Sequence, residues 1–531
     1  MRRPFKLIVA ALLVLACAVI TLRTGDAAQS PPLTPQERRG KALYLRGESA
    51  AGREVSALVG ELDVPAATVP CAGCHGLRGE GKTEAGVTAG ALTWSQLTRP
   101  DGHTHPTGRK HGPFNETSFV RAVVNGLDPA GNALLVAMPR YKLAPEDLAD
   151  LLAYLKRIET EREPGLTADA ITVAAPLPLA GALADTGAAM RDVLNAYFAD
   201  VNSRGGVYNR RLELRAADAS ADAAQTAANL RRLLEGEQVF ALVGGVSAGA
   251  DKELAALAAE TGTPLVGPAT LLPQTGTPLN RYVFYLLPGF AEQARALANF
   301  AAARPELKRA RLAVVYANGE LTNAAADAFV EQAKQAGLPP VFKQTFTRGS
   351  FNAAQLVEQL QQARAEGVLL LGPNGEETPL LQAAAAAKWT PFVFLLGALS
   401  GTNLGSAVPT SFKDHVFVTF PTVPADVTPE GLAEFRALQE KYKFAPRRVA
   451  SQLAALAAAK VFVEGLKRAG RDLTREQFIT ALEGLYEYDT GLTPRLTFGP
   501  NRRVGAAGAS VLTFDPEKKE LAPAGGWVKA N

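Results

Sequence analysis

Residues 69–81 read VPCAGCHGLRGEG, which places Cys71, Cys74 and His75 within one five-residue stretch, CAGCH. The 531-residue chain contains only three cysteines and five histidines, so a chance grouping of these side chains does not account for the cluster. A Cys-x-x-Cys-His sequence is typical of a few kinds of site, and each kind requires different residues elsewhere in the chain.

The CAGCH stretch is compatible with three kinds of site. A redox-active dithiol usually opens a helix after a strand, and no strand pattern precedes Cys71. A zinc site would need further ligands, which His103, His105 and His111 could supply. A c-type haem would consume both thiols as thioethers and use His75 as an iron ligand. The third interpretation predicts a second iron ligand downstream.

Met138 is the candidate for that second ligand. The chain contains only three methionines, and this one lies in GNALLVAMPRYKL, residues 131–143. Pro139 restricts the backbone beside it, which helps to direct the sulfur. A thioether ligand favours ferrous iron and therefore raises the haem potential.

Helical patterns flank this region on both sides. Residues 35–47 predict an opening helix, and residues 144–158 carry apolar side chains at helical spacing and predict a closing helix. Gly40 in the opening helix would allow the closing helix to approach closely.

Residues 33–160 resemble a class I cytochrome c domain, an all-α fold. The resemblance rests on Gly40 and Tyr44, on CAGCH, on the Met-Pro-x-Tyr segment and on the closing helix. It implies one covalent haem c attached to Cys71 and Cys74, with His75 and Met138 as the axial iron ligands. The histidines at 103, 105 and 111 are then expected to be loop residues. The stretch between Tyr44 and Cys71 is longer than in the family and is expected to form a loop or hairpin beside the haem.

The rest of the chain has a different pattern. From residue 171 to 531, short apolar runs alternate with Ala-rich helical segments in two successive series. Such alternation predicts doubly wound parallel sheets, and two series predict two lobes with a ligand cleft between them. The charged stretch 161–170, with Pro164 and Gly165, is expected to be a linker.

The larger unit resembles type I periplasmic solute-binding proteins of the branched-chain amino-acid type. The resemblance begins with a first strand that ends in a Pro-rich loop and a helix that closes on Asn202, Gly205 and Gly206. Asn209 replaces a usual glycine, and asparagine tolerates the left-handed backbone needed there. The resemblance covers nearly all of residues 170–528.

This second resemblance implies a ligand site at the carboxyl ends of strands, beside helix N-termini that favour an anion. An acidic residue often binds the ligand's ammonium group where this chain has Leu399. A carboxylate or a small polar or aromatic compound is therefore expected rather than an amino acid. The expected ligand contacts are Ser247, Ala248, Ala269, Thr270, Phe290, Tyr316, Asn374 and Leu399.

Residues 1–28 predict a secretory signal peptide or an N-terminal anchor. A basic start is followed by the apolar run 7–22 and then by small polar residues. Cleavage near Ala27 or Ala28 would release a soluble protein, whereas VLAC resembles a bacterial lipobox in which Cys17 would carry a lipid. The apolar run is short for a membrane-spanning helix. Either route predicts a periplasmic location, and the membrane is expected as a partner only through this N-terminus.

Composition and charge limit the remaining function classes. Hydrophobic residues make up 47% of the chain and charged residues 20%, which is typical of globular protein. The chain's net charge is +4, and the basic residues of the leader supply four positive charges, so the remainder is close to neutral. The sequence has no basic run interleaved with aromatic residues, the pattern that would indicate a nucleic-acid partner. The larger unit shows no hydrolytic constellation and no phosphate-binding loop.

These observations favour an exported mono-haem electron-transfer protein that carries a solute-binding domain for a small organic ligand. Its expected partners are that ligand and a periplasmic redox protein. The alternative is the substrate-binding receptor of an ABC transporter, with an accessory haem domain and a permease as partner. Catalysis on the ligand is not expected, because iron with two protein ligands has no position open to a substrate.

Overall fold

The computed structural model describes residues 33–84, 87–105, 107–220, 222–246, 249–400 and 408–530. The predicted leader with Cys17, and the predicted ligand contacts Ser247 and Ala248, lie outside the described residues. The chain divides between Arg162 and Glu163 into two compact units.

The first unit is built from short helices with small pieces of antiparallel sheet. Its helices are α1 (Pro35–Arg46), α2 (Cys71–His75), α3 (Trp94–Leu97), α4 (Glu116–Asn125) and α5 (Pro145–Arg157). Its strands are β1 (Ser56–Val59), β2 (Leu62–Pro65), β3 (Lys82–Glu84), β4 (Val87–Ala89), β5 (His103–Thr104), β6 (Lys110–His111) and β7 (Arg140–Lys142).

Helices α1 and α5 pack directly against each other, as the sequence predicts. A Cβ atom at Gly40 would lie 1.9 Å from the carbonyl oxygen of Asp150, so a side chain at this position would not fit. One helical turn further on, the rings of Tyr44 and Tyr154 lie 5.7 Å apart between centroids, and both side chains are buried. The structure therefore confirms the close helix approach that Gly40 indicates.

The long stretch between Tyr44 and Cys71 contains a hairpin. Strands β1 and β2 pair antiparallel, and β1 also pairs with β7, so that Leu58 lies opposite Arg140. The expected all-α domain thus also carries a three-stranded sheet, in the order β2-β1-β7. This sheet ties the inserted stretch to the segment that follows Met138.

The predicted linker contributes contacts on each side of the division between the units. Glu161 accepts hydrogen bonds from Lys41 and Tyr154 of the first unit at 2.6 and 2.9 Å. Leu166 packs against the core of the second unit.

The second unit contains two α/β lobes. The first lobe holds the sheet β12-β11-β10-β8-β9, which is parallel throughout. Its elements are β8 (Ala170–Leu177), α6 (Ala184–Ser203), β9 (Arg211–Asp218), α7 (Ala223–Glu237), β10 (Ala241–Val243), α8 (Asp251–Thr261), β11 (Leu265–Val266), β12 (Val283–Phe284), α13 (Pro429–Tyr442), α14 (Val449–Ala469) and α15 (Arg475–Glu483).

The second lobe holds the seven-stranded sheet β14-β13-β15-β16-β17-β18-β19, in which β18 and β19 run antiparallel. Its elements are α9 (Phe290–Ala303), β13 (Leu312–Ala317), α10 (Glu320–Gln335), β14 (Phe342–Phe346), α11 (Ala353–Gln362), β15 (Gly367–Leu371), α12 (Glu377–Ala386), β16 (Phe392–Leu396), β17 (Val416–Phe420), β18 (Gly508–Asp515) and β19 (Glu520–Lys529).

The chain passes between the lobes three times: after β12, after β17 and before β18. The doubly wound, two-lobed architecture agrees with the sequence prediction. Asn209 has a φ of 65°, which is the left-handed backbone expected of it.

Helix α14 is, within the described residues, the one helix long and apolar enough to cross a membrane by length and composition. Its apolar window is 61% buried, and side chains such as Leu456 and Phe462 lie in the core of the first lobe.

Candidate haem cavity and ligand cleft

The CAGCH residues form the short helix α2, which α1 holds in place. Pro70 precedes the helix, and Gly76 ends it with a φ of 83°. The buried hydroxyl of Tyr44 in α1 donates a hydrogen bond of 2.7 Å to the carbonyl oxygen of Gly76. The first helix therefore fixes the end of the motif, directly after His75.

His75 is buried, with 8% of its surface exposed. Its Nδ1 donates a hydrogen bond of 2.7 Å to the carbonyl oxygen of Gly90, because a carbonyl can only accept. Burial lowers the pKa of His75, and the Gly90 hydrogen bond partly opposes this effect. The neutral imidazole thus keeps a lone pair on Nε2, the form in which histidine binds a metal.

Cys71 and Cys74 are free thiols. Cys74 is exposed and Cys71 is half-buried. Burial raises the pKa of the Cys71 thiol to about 11, and a hydrogen bond with Tyr141 partly opposes the shift. Both sulfur atoms are available for a covalent bond.

Met138 is half-buried in a segment that Arg140 braces. The backbone N–H of Met138 donates to the carbonyl oxygen of Leu135 at 3.0 Å. The Arg140 guanidinium donates to the carbonyl oxygens of Met138, Leu134 and Leu135, the last two at 3.1 and 3.3 Å. Burial lowers the pKa of Arg140. Three carbonyl groups around the methionine are therefore held by one side chain.

Cys71, Cys74, His75 and Met138 line one cavity of about 310 Å³, which we call the CAGCH cavity. The rest of its wall is largely apolar. Two thiols, a neutral imidazole and a thioether around one apolar cavity are the donor set that a c-type haem requires. The residues present fit that group. Apolar side chains of the wall include Val69, Leu92, Leu97, Phe114, Phe119, Val123, Leu134, Leu135, Leu151 and Leu155.

His103, His105 and His111 line the same cavity, and His105 lies outside the strands, as expected of a loop residue. His103 and His111 lie opposite each other on β5 and β6. Among the described residues, no group of three or more His, Cys, Asp or Glu side chains is placed to hold a metal ion. This arrangement does not support the zinc alternative.

In the first lobe of the second unit, Ala269 and Thr270 follow the carboxyl end of β11. The N–H of Ala269 donates to the carbonyl oxygen of Gly245 at 2.9 Å, which fixes this segment beside the end of β10. The Thr270 hydroxyl accepts a hydrogen bond of 2.9 Å from the N–H of Leu272. Both residues are half-buried.

The second-lobe residues expected at the ligand lie in different surroundings. Phe290 and Tyr316 are buried in the core of that lobe, with 1% and 8% exposure, and Leu399 packs against the same core. Asn374 is exposed, and its backbone N–H and side-chain amide both donate to Glu376, at 2.7 and 3.1 Å. Their contact with a ligand stays a prediction.

An ion pair between described residues joins the lobes. Lys252, in the first turn of α8, pairs with Glu320, in the first turn of α10. Both side chains are exposed. The hydrogen bond with Glu320 raises the pKa of Lys252.

Comparison with known proteins identifies both units. Residues 170–517 match the family model described as periplasmic binding protein. The chain belongs to that family. Residues 66–159 match the family model described as cytochrome c, so a cytochrome c domain precedes the periplasmic binding protein domain.

Individual proteins agree with this assignment. The chain is 23% identical over 348 residues to the "Leu/Ile/Val-binding protein BraC3" of Rhizobium johnstonii. The aligned stretch covers 66% of this chain and 92% of that protein. A branched chain amino acid ABC transporter from Thermus thermophilus, solved with bound valine, superposes with a TM-score of 0.53 at 19% identity and covers 68% of this chain and 97% of its own. A fatty acid ABC transporter substrate-binding protein from Thermomonospora curvata superposes with a TM-score of 0.51 at 17% identity. The superposition covers 70% of this chain and 95% of that protein.

The cytochrome c domain implies a haem cofactor, and the CAGCH cavity is where its signature residues meet. The periplasmic binding protein domain implies an extracytoplasmic small-molecule binder.

Sequence reasoning overlooked Arg140 and the Lys252–Glu320 pair. The arginine beside Pro139 was visible as a charge within an otherwise apolar segment. No sequence signal indicates an ion pair between lobes, because it depends on how the two sheets face each other.

Proposed function

We propose that the cytochrome c domain carries one covalent haem c. Cys71 and Cys74 would hold it as thioethers, and His75 and Met138 would bind its iron. The observation that carries this proposal is that all four side chains line one apolar cavity. His75 supports the proposal further. Its Nδ1 proton is hydrogen-bonded to Gly90, which leaves Nε2 unprotonated and able to bind iron.

The haem, when bound, supplies a reversible one-electron couple. The residues of the cavity would hold the haem in fixed surroundings. If His75 and Met138 both bound the iron, no iron position would be left for a substrate, which favours electron transfer over catalysis. The Met138 sulfur would favour ferrous iron, and Arg140 keeps the Met138 segment in place.

We propose that the periplasmic binding protein domain binds a small organic ligand through its carboxylate, at the segment containing Ala269 and Thr270. The Thr270 hydroxyl accepts from Leu272 and makes no other hydrogen bond to the described residues, so its own proton is available to a carboxylate oxygen. Leu399 stands where amino-acid-binding relatives often have an acidic residue for the ligand's ammonium group, which favours a ligand that has a carboxylate but no ammonium group.

Amino acids are the competing ligand class. The relatives named for leucine, isoleucine and valine, and the structure with bound valine, make these the first amino acids to test. The structure named for fatty acids makes simple carboxylic acids equally relevant.

Together these parts favour an exported electron-transfer protein that captures a small organic ligand in the periplasm and exchanges electrons with a redox partner there. A second candidate is the receptor of an ABC transporter with an accessory haem domain. The observation that favours it is that the structural neighbours are named for ABC transporters.

Haem attachment is tested by producing the protein in bacteria that mature c-type cytochromes. The wild-type chain should retain haem on a denaturing gel, and its pyridine haemochrome spectrum should give one haem per chain. Replacing both Cys71 and Cys74 with Ala should abolish retention, whereas Cys17→Ser should not. Retention by the double variant would contradict the proposal.

Ligand class is tested by calorimetry on the haem-loaded protein. Leucine, 4-methylpentanoate and isopentylamine share a branched carbon skeleton but carry both charged groups, only the carboxylate, or only the amine. Binding of 4-methylpentanoate at least as tight as that of leucine is expected. Binding of leucine alone would overturn the carboxylate proposal and favour the amino-acid receptor.

A further inference from the structure

A second cavity, of about 370 Å³, lies within the second lobe of the periplasmic binding protein domain. Residues 344–347 and 350–352, at the end of β14 and after it, form most of its wall. Side chains from the first two turns of α11, with Val315 and Asn318 at the end of β13, complete the wall. We call this space the amide cavity. None of the described residues expected at the cleft ligand lines it.

The wall of the amide cavity is polar but uncharged. Asparagine, glutamine, serine and threonine account for eight of the twelve described residues that line it. Lysine, arginine, histidine, aspartate and glutamate are absent from this described wall, and Arg348 lies between lining residues in the sequence without lining the cavity itself. An ionised ligand would find no opposite charge here, and leaving water without one costs free energy. The wall therefore favours an uncharged ligand.

A pair of glutamine side chains in this wall has a hydrogen-bonding group to spare. Gln344 Nε2 donates to Gln359 Oε1 at 2.6 Å, and both residues are half-buried. Gln344 Oε1 is buried and makes no hydrogen bond to the described residues. Exchanging the oxygen and nitrogen of both amides would leave a buried N–H group in its place. A hydroxyl group suits either arrangement, because it can donate and accept.

Other groups of the wall add both donors and acceptors. Asn352 Oδ1 accepts from the backbone N–H of Gln355 at 3.1 Å, and no hydrogen bond to the described residues occupies the Asn352 NH₂ group. The Ser350 hydroxyl donates to the carbonyl oxygen of Thr347 at 2.8 Å and can still accept. Such a mixture of donors and acceptors suits a ligand with several hydroxyl groups.

Two aromatic rings give the amide cavity an apolar side. The rings of Phe346 and Phe351 lie 5.0 Å apart between centroids, and both residues pack against the core of the second lobe. A sugar or cyclic polyol has C–H groups that pack against such rings and hydroxyl groups that bind to the amides. Apolar walls with a few placed polar groups, and volumes of about 300–1,000 Å³, are typical of small-molecule sites.

We propose that the amide cavity binds an uncharged polyhydroxylated compound of monosaccharide size, independently of the ligand in the cleft. The pair of Gln344 and Gln359 binds one hydroxyl group, and Asn352 and Ser350 bind others. Phe346 and its aromatic neighbour pack against the carbon atoms. All described residues of the wall belong to one lobe, so binding here does not require the two lobes to close.

The test uses ligand-detected saturation-transfer NMR on the full chain. The probes are D-glucose and D-galactose, each with its amino sugar and its uronate. Gln344→Leu removes the spare amide group at similar side-chain volume. Thr347→Trp fills the cavity from an exposed position and serves if Gln344→Leu fails to fold. Gln361→Leu is the matched control, because Gln361 is exposed on the same helix and does not line the cavity.

At least one of the two neutral sugars should bind, and its charged counterparts should bind at least about tenfold more weakly. Gln344→Leu should weaken binding about tenfold, as expected for the loss of one or two hydrogen bonds, and Thr347→Trp should abolish it. Gln361→Leu should have no effect. The absence of neutral-sugar binding, equal binding of the charged sugars, or an equal loss in Gln361→Leu would overturn the proposal.

A competition experiment separates the amide cavity from the cleft. Saturating 4-methylpentanoate should leave sugar binding unchanged, and Thr270→Val should do the same. Displacement of the sugar by the carboxylate would overturn the proposal, because it would place the sugar in the cleft. None of these measurements depends on haem attachment or on carboxylate binding, so a failure of either would be recognised separately.

Discussion

The carbonyl oxygen of Met138 accepts a hydrogen bond from the guanidinium of Arg140, two residues further along the chain. The same guanidinium lies over Gly126, where a Cβ atom would be 1.7 Å from Arg140 Nε. Gly126 ends α4 in the left-handed conformation, with a φ of 68°. Arg140 thus joins the end of a helix to the segment that carries the proposed iron ligand.

Replacing Arg140 with Gln should loosen the Met138 segment without removing the methionine. Hydrogen bonds to a charged group contribute about 1.5–3 kcal/mol each. We therefore expect cyanide to displace the sulfur on the order of ten times faster or more, and the sulfur-to-iron charge-transfer absorption to weaken. Stopped-flow mixing and visible spectroscopy measure both.

Arg121→Gln is the matched control for Arg140→Gln. Arg121 also donates to backbone carbonyls, those of Asp128 and Pro129 at 2.6 and 3.1 Å, but none of its hydrogen bonds reaches the residues next to Met138. It should change cyanide binding little. Equal effects of the two variants would mean that Arg140 acts only through general stability.

Gly40→Ala should destabilise the cytochrome c domain. Overpacking typically costs about 1–3 kcal/mol, and the new methyl group would meet the backbone oxygen of Asp150, which cannot rotate away. Thermal unfolding followed at the haem absorption measures the loss. Gly112→Ala is the control, because a Cβ atom there meets nothing within 4 Å. A Gly40→Ala protein as stable as the wild type would contradict the helix packing described here.

That the CAGCH residues and Met138 would come together could be predicted because their signals are local. Cys71, Cys74 and His75 are adjacent in the chain, and Met138 is one of only three methionines. The helix crossing at Gly40 was predictable for a related reason, since a glycine in a helical pattern indicates a close contact.

The grouping of His103, His105 and His111 could not be predicted in the same way. His103 and His111 become neighbours only because two-residue strands pair across a turn, and such short pairings leave no periodic pattern. The position of Phe290 illustrates a different difficulty. It begins a helix after a crossover between lobes, and sequence does not show that its ring turns into the core.

The Lys252–Glu320 pair should contribute to ligand affinity but hardly to stability. Exposed ion pairs stabilise a fold only weakly because water screens them, but this one joins the two lobes that we expect to close around a ligand. Glu320→Gln should weaken binding by up to about fivefold, with the effect disappearing in high salt. Asp327→Asn, which breaks the Lys343–Asp327 pair within the second lobe, is the control. If both variants bind the ligand equally well, the interlobe pair plays no part in closure.

Thr270→Val should weaken binding of a carboxylate ligand more than any other single change predicted here for the cleft. Valine has nearly the shape of threonine but lacks the hydroxyl that would donate to the carboxylate, and a hydrogen bond to a charged group is worth about 1.5–3 kcal/mol. The expected loss is therefore roughly 10- to 150-fold in Kd, measured by calorimetry. Thr270→Ser keeps the hydroxyl and should retain most of the affinity. Because the hydroxyl also accepts from Leu272, the melting temperature without ligand is needed to separate a local structural effect. A Thr270→Val protein with unchanged affinity would exclude this hydroxyl as a ligand contact and direct attention to the backbone N–H groups of the same segment.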